Sequence, residues 1–529
     1  MRNYRIAFLY RPPRVARFCL FLVPPLVCAM WFLSGCARQP ELPDYWPTEQ
    51  WRTATPASQG IDPDKLAEAL TIVRNNKLPL HSLFIARRGY AVMDAYFYPF
   101  ADGLRHDVAS VTKSITATLV GMAVEDGYIP SLDTPVLSFF PNRTVKNLDP
   151  RKQHITVENL LSMSSGLDCG YLPGERELFA MRETRDWIQY ALDLPMRTAP
   201  GTEFAYCSSG MHLLSAIVTK ASGQSLEAYA ATRLFKPLGI TQWKWPADPA
   251  GNSTGYGDLQ LFPRDMAKIG LLYLSQGQWA GHQIISADWI KRATSPHIAV
   301  TRNGVSYGYG WWLAQYGGSK VIIAQGRGGQ RIFIWPDKAI VMVMTAGGFD
   351  SNELASQLAQ AVRSDKSLPD DPPAQTRLNT IVSALKQPPP AQPVAAPPPI
   401  AEDIAGHWYR FKSNPLGLKA IMFNVAEKKM ELGMLVDGQH YTFAVGLDGV
   451  YRISNQTPSG LPAGVRATWR GADTLILEYD EIGRVNHFTL TTRFGDGDIQ
   501  VDVTEPTGMY QLKLTGVEDN RKGDRANKS

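Results

Sequence analysis

The chain has 529 residues, of which 44% are hydrophobic and 19% charged; that is too long for one ordinary domain and suits globular units with sizeable cores. The formal charge of +5 is misleading, because Arg2, Arg5, Arg11, Arg14 and Arg17 stand in an opening segment that holds no Asp, Glu or Lys. Without them the chain is neutral, which removes any reason to expect nucleic-acid binding.

Residues 1–35 read as an export signal. A basic stretch ends at Arg17, and the apolar run Phe18–Phe32 is too short, and too broken by Pro24 and Pro25, for a comfortable membrane span. Leu33-Ser-Gly-Cys36 resembles a bacterial lipobox. That resemblance implies cleavage before Cys36 and acylation of its thiol; an ordinary secretory signal or a retained anchor is the alternative. With Ala37 and Arg38 behind the cysteine and no Asp, it implies a lipid anchor in the outer membrane, facing the periplasm. Export favours an oxidising compartment. Of the five cysteines, Cys19 and Cys28 leave with the signal and Cys36 takes the lipid. Cys169 and Cys207 remain, either as a disulfide or as two buried thiols.

Residues 36–52 read as a tether, and 53–364 mix helix and strand signals. His81–Phe97 alternates like a hairpin turning at Arg88-Gly89. Behind Ser110, the residues Ile115, Leu119, Met122 and Ala123 follow the spacing of an amphipathic helix that Gly127 can stop. Leu226–Phe235 and Asp265–Ser275 are helical in pattern, and Lys320–Ala346 reads as successive strands with a turn at Pro336-Asp337. Residues 365–401 are Pro-rich linker, with a short helix near 375–385. From 402 to 517 strands alternate with Gly, Asp and Asn turns about every 8 to 12 residues, the pattern of a small antiparallel barrel or sandwich. The tail, 518–529, reads as disordered.

Ser110-Val-Thr-Lys113 places a hydroxyl and an amine one helical turn apart. A serine needs a base to become a nucleophile, and a lysine serves as one only as the neutral amine. The motif alone decides nothing, since about two chance matches are expected in this length, and Ser383-Ala-Leu-Lys386 beside the linker is one. Two further elements give it context. Tyr206-Cys-Ser208 sits in a loop before a helix and offers a proton relay; its rival, Tyr273-Leu-Ser275, lies in a Leu-rich run and reads as core. Arg327-Gly328-Gly329 offers Gly-rich backbone for close approach, and a fixed charge.

In that order and at those separations the three elements resemble the β-lactamase-related serine hydrolases: class C β-lactamases, D-alanyl-D-alanine peptidases, family VIII-type esterases and 6-aminohexanoate-dimer hydrolases. Leu160–Cys169, Phe235–Ile240, Leu261–Ser286 and Tyr307–Trp312 add to the likeness, which covers about residues 55–362. It implies an α/β (α+β) fold, an antiparallel sheet flanked by helices with a helical lobe, ahead of the all-β barrel-like domain. It implies Ser110 as nucleophile, Lys113 and Tyr206 as acid and base, and the N–H groups of Ser110 and Gln330 around the oxyanion. Ser208, Arg327, Gly328, Gly329, Tyr171 and Trp311, with Trp312, would line the substrate pocket. Two departures weigh against β-lactam chemistry: Arg327 stands where a Lys-Thr-Gly element is usual, and Ser208 where many relatives carry Asn. Arg can clamp a carboxylate but cannot relay a proton.

The expected function is hydrolysis of a small ester or amide, with no cofactor and no metal. The nine histidines are scattered, and Asp496-Gly-Asp498 is too short for a calcium loop. A β-lactamase or D-alanyl-D-alanine peptidase is the alternative enzyme. A penicillin-recognising or envelope-binding module is the alternative outside catalysis. The oligomeric state is not legible.

Overall fold

The computed structural model describes residues 43–170, 176–300, 304–426 and 428–519. Cys36 and Tyr171 lie outside the described residues, as does most of the expected tail. Helix α1 (Pro63–Asn75) starts at Asp62, whose carboxylate accepts the N–H groups of Asp64 and Lys65. The hairpin β1 (Leu80–Arg87) and β2 (Tyr90–Tyr96) turns at Arg88-Gly89. Short β3 (His106–Asp107) then leads into α2 (Val111–Glu125). A helical lobe follows: α3 (Val157–Leu161), α4 (Arg176–Arg182), α5 (Trp187–Asp193), α6 (Ser208–Ser222) and α7 (Leu226–Ala230). Strand β4 (Gln260–Leu261) returns to pair with β3, and α8 (Pro263–Leu274) leaves it. After the hairpin β5 (Gln278–Trp279) and β6 (His282–Gln283) and helix α9 (Ala287–Ala293) come β7 (Ile298–Ala299), β8 (Ser306–Tyr307), β9 (Trp312–Tyr316), β10 (Ser319–Gly326), β11 (Gln330–Trp335) and β12 (Ile340–Ala346).

One antiparallel eight-stranded sheet results, in the order β2-β1-β12-β11-β10-β9-β8-β7. The strand period of two sends alternate residues to opposite faces. Phe84, Ile332, Ile334, Val341 and Val343 face a core shared with α2, α6 and α8. Leu83, Ile85, Phe333, Trp335, Met342 and Met344 face a second core shared with α1, α10 (Asn352–Gln360) and α11 (Pro372–Leu385). Only part of the segment 365–401 is therefore linker: α11 sends Leu378 and Leu385 into the second core, and the extended Pro-rich stretch follows it.

Helix α2 has the expected spacing but not the expected polar face. Every residue from Val111 to Ala123 is buried, because the sheet covers one side of the helix and the helical lobe the other. Its hydroxyls are accordingly bonded inward. Ser114 Oγ donates to the Gly310 carbonyl and Thr116 Oγ1 to that of Gly255, while Thr118 Oγ1 bonds the Tyr273 hydroxyl. At Gly310 φ is +76°, and a Cβ would lie 2.8 Å from Ala117 Cβ and 2.9 Å from the Lys113 carbonyl oxygen.

Past the linker, α12 (Ile400–Asp403) precedes ten antiparallel strands: β13 (His407–Phe411), β14 (Leu418–Ala426), β15 (Lys429–Val436), β16 (Gln439–Val445), β17 (Arg452–Ser454), β18 (Ala463–Arg470), β19 (Thr474–Glu481), β20 (His487–Phe494), β21 (Asp498–Thr504) and β22 (Gln511–Glu518). Chain neighbours pair except β16 and β17, the two ends of the strand order, and β22 returns to β13. Gly446, just past β16, donates to the Val465 carbonyl and accepts from the Ala467 N–H on β18, so the sheet nearly closes. It is a barrel, not a sandwich. Phe423, Leu432, Phe443, Leu477 and Ile499 fill its interior, with Ala401 and Ile404 at the α12 end. Among the described residues, no helix is long and apolar enough to cross a membrane.

Gly310→Ala combines a left-handed backbone with overpacking against α2. It should lower the unfolding free energy by about 2–4 kcal/mol. Urea unfolding of the full chain checks this, with Gly281→Ala, where a Cβ meets open space at a similarly positive φ, separating the backbone share.

Candidate active site

Strand β3 delivers the chain to Ala109, whose φ of +47° is one that a residue with a Cβ rarely adopts. Asp107 holds this turn: its Oδ1 accepts the Ala109 N–H at 2.8 Å. Ser110 follows, half-buried, at the N-cap of α2. Its N–H has no acceptor among the described residues, and it stands at the positive end of the helix. Lys113 Nζ lies 2.9 Å from Ser110 Oγ, and the side chain is 1% exposed. The same Nζ donates to the Tyr256 carbonyl at 2.9 Å and sits 4.7 Å from the Tyr206 ring centre.

That carbonyl is itself fixed from behind. The Gly255 N–H donates to His212 Nδ1 at 3.4 Å. His212 Nδ1 is then the acceptor, so Nε2–H donates to Asp248 Oδ2, 3.0 Å away, in a pair with no solvent exposure. Burial pushes the Asp248 carboxyl up, but hydrogen bonds from His212 and Asn252 outweigh it and hold it below the usual range. Asp258, two residues past Tyr256, feels the charges of Arg182, Asp107, Arg484 and Lys113; burial dominates and pushes its carboxyl up.

Tyr206 is half-buried in the loop before α6 and stacks on Trp312 at 6.0 Å between ring centres. The next residue, Cys207, is disulfide-bonded to Cys169 across 38 residues, and its sulfur also accepts the Gly210 N–H that opens α6. Ser208 is the first residue of α6 and is 2% exposed, which leaves it little surface for a substrate. Of the two tryptophans, Trp311 is fully buried against Tyr273, with ring centres 4.3 Å apart. It belongs to the core, and Trp312 is the one beside Tyr206. Trp311 stands just before β9 and turns into the core, while Trp312, the first residue of β9, points the other way.

In the third element, Arg327, expected at the substrate pocket, is partnered by the C-terminal barrel. Strand β10 passes the Ser110 turn so closely that a Cβ on Gly326 would lie 2.5 Å from the Val108 carbonyl oxygen. The turn Arg327–Gly329 then leans away, toward the barrel. Arg327 Nη1 donates to Thr507 Oγ1 at 2.8 Å and Nη2 to Asn486 Oδ1 at 2.9 Å, with the fully buried Glu505 carboxylate 3.5 Å away. Gly328 is covered by Val485, which a Cβ there would approach to 2.4 Å, and Gly329 by Ala346 and Phe349. What these glycines approach closely in the structure is the protein itself. Gln330 has a buried amide that bonds both backbone groups of Ala346, fixing the start of β11.

The sequence reading overlooked the other arginine of the element. Arg331 is 5% exposed, and its Nη1 donates to the Gly326 and Gln330 carbonyls across the hairpin. Burial pushes its guanidinium down to about 10, opposed by Asp350, Tyr316 and Tyr206. β11 is buried on both faces, so alternation gives no signal for a buried Arg331, and nothing in the sequence points to Asn486, Thr507 or Arg484.

The beta-lactamase family model matches residues 71–366. The 6-aminohexanoate-dimer hydrolase of Paenarthrobacter ureafaciens is 26% identical over 286 residues, 49% of this chain and 71% of that one. The esterase EstB of Burkholderia gladioli is 28% identical over 218 residues, 39% of this chain; only 54% of the esterase's own length is spanned. A solved structure from Bacillus anthracis, named as a 6-aminohexanoate-dimer hydrolase, aligns with a TM-score of 0.50 at 18% identity, over 63% of this chain and 91% of that one, and shows the likeness of fold.

Because the Cys169–Cys207 bond closes a 38-residue loop directly beside Tyr206, the double change Cys169→Ala/Cys207→Ala should cost about 2–4 kcal/mol of stability. It should also slow ester hydrolysis more than the fraction unfolded explains. Equilibrium unfolding beside rate measurement on the same samples checks both.

Proposed function

The chain belongs to the beta-lactamase family, and from that premise we propose that it is an exported serine hydrolase that cleaves a small ester or amide through an acyl-enzyme on Ser110. The observation that carries the proposal is the 2.9 Å separation of Lys113 Nζ from Ser110 Oγ, with Tyr206 against the same amine.

In the first step Lys113, with Tyr206, takes the Ser110 proton as Oγ bonds to the substrate carbonyl carbon. The carbonyl oxygen gains the negative charge and is met by the N–H groups of Ser110 and Gln330. The carbon–leaving-group bond then breaks, and Tyr206 returns the proton to the departing oxygen or nitrogen. A water adds to the ester left on Ser110, gives its proton to the same pair, and the acid product leaves with Ser110 reprotonated.

Esters and uncharged amides fit better than β-lactams. The arginine of the third element is spent on Thr507 and Asn486, so that position offers no free cation to a substrate carboxylate. Export and a lipid anchor on Cys36 complete the reading; a Cys36→Ser chain that still takes up labelled palmitate would remove the anchor from it.

The test is steady-state hydrolysis of p-nitrophenyl butyrate, 6-aminohexanoate dimer and nitrocefin by residues 37–529. Ser110→Ala should lower ester turnover by about 10³-fold or more, and Lys113→Ala should approach the same loss. Nitrocefin should be turned over far more slowly than the ester. Ester rates unchanged in Ser110→Ala would end the assignment.

A further inference from the structure

The barrel interior is filled by its own side chains, so the barrel is not built to hold a small ligand. Its contribution lies at one rim. Two loops at the same end reach the hydrolase: the β19–β20 turn, Ile482–Asn486, and the β21–β22 loop that carries Glu505 and Thr507. Ile482 is 1% exposed and seats against Tyr96 and Phe100. Beside it, the Gly483 carbonyl accepts the Asp107 N–H at 2.7 Å. Arg484 Nε donates to Asp107 Oδ2 at 3.4 Å. The other carboxylate oxygen of Asp107 is the one that holds the Ala109 N–H, directly before the nucleophile. A barrel turn thus grips, by backbone and by side chain, the residue that shapes the Ser110 turn.

The same turn holds the opposite wall. Asn486 Oδ1 accepts from Arg327, with Thr507 beside it, and Val485 presses on Gly328. Within the turn the Glu481 carboxylate accepts from Asn486 Nδ2 at 3.0 Å and from Arg484 Nη1 at 3.4 Å, so both grips share one anchor. The two oxyanion donors belong to separate segments of the chain, one after Ala109 and one after Gly329. Their spacing decides how well they meet an oxyanion, and an error of about 1 Å in such placement costs about 100-fold in rate.

We propose that the Gly483–Asn486 turn of the barrel is a positioning element of the active site, with Arg484 setting the Ser110 turn through Asp107 and Asn486 setting the Gln330 strand through Arg327. The proposal rests on the Ser110 reading. Neither residue touches the reacting atoms. If the contacts only cemented two domains, loosening the two ion pairs of Arg484, to Asp107 and Glu481, would cost stability and lower the rate only as far as the fraction folded falls.

The experiment uses the full mature chain, with Arg484→Ala, Arg484→Lys, Asn486→Ala and, as control, Arg493→Ala on the exposed side of β20. Initial rates with p-nitrophenyl butyrate and thermal midpoints are measured together, beside Ser110→Ala. Arg484→Ala should lower kcat per folded molecule, with the fraction folded read from the thermal midpoint, by about 10- to 100-fold with KM changed less than about 2-fold. Added guanidinium ion should restore part of the rate, and Arg484→Lys should fall between. Asn486→Ala should show the same kcat-against-KM split. The proposal is overturned if both Arg484 variants keep control kcat, or lose rate only in proportion to the fraction unfolded; should Arg484→Ala not fold, Arg484→Lys is read alone against the same criterion. Full activity in Ser110→Ala would instead remove the Ser110 reading, so the two failures are distinguishable.

Discussion

An amine with 1% exposure must find its partners inside the protein, and those of Lys113 organise the hydrolase half of this chain. Ser110 Oγ lies at one donor position and the Tyr256 carbonyl at another, with the Tyr206 face close by. Each partner comes from a different stretch of chain and is fixed from behind. Asp107 shapes the turn before Ser110, the His212–Asp248 pair holds the segment that ends in Tyr256, and the Cys169–Cys207 bond ties the loop of Tyr206. Helix α2 can carry the amine at this depth only because it is covered on every side and its hydroxyls are bonded inward.

The same logic gives the C-terminal barrel a reason to be there. The Ser110 turn and the third-element hairpin are close neighbours at Gly326, yet past it the hairpin leans outward into the barrel rim. Arg327 then serves architecture, and Arg331 is buried within the hairpin, bonded to the Gly326 carbonyl. A charge that looks like a substrate clamp in one dimension becomes a domain anchor in three. The ester-and-amide reading follows from that displacement as much as from the nucleophile.

Much of this was legible in the sequence because it is written in local periods. The Arg88-Gly89 hairpin, the strands around Pro336, the helical spacing behind Ser110 and the even spacing of the C-terminal strands depend on near neighbours in the chain. Ser110, Lys113 and Tyr206 stood out for the same reason, each in a short motif, and they meet in the structure. What was not legible depends on partners far along the chain. Periodicity showed that α2 has an apolar face, but not that a sheet and a lobe bury its other face as well. It did not decide between Trp311 and Trp312, which requires knowing which side of the sheet faces the helical lobe. No local pattern could tie Asp107 to Gly483 and Arg484, because "EIGRVN" reads only as a hairpin turn.

The account stands on Ser110 being the atom that carries the acyl group. Mass spectrometry of the chain after brief reaction with p-nitrophenyl butyrate and acid quench tests it directly. The account predicts one butyryl group, on the peptide that contains Ser110, absent from Ser110→Ala and slow to form in Lys113→Ala. Butyryl on another residue during turnover, or full turnover in Ser110→Ala, would contradict it.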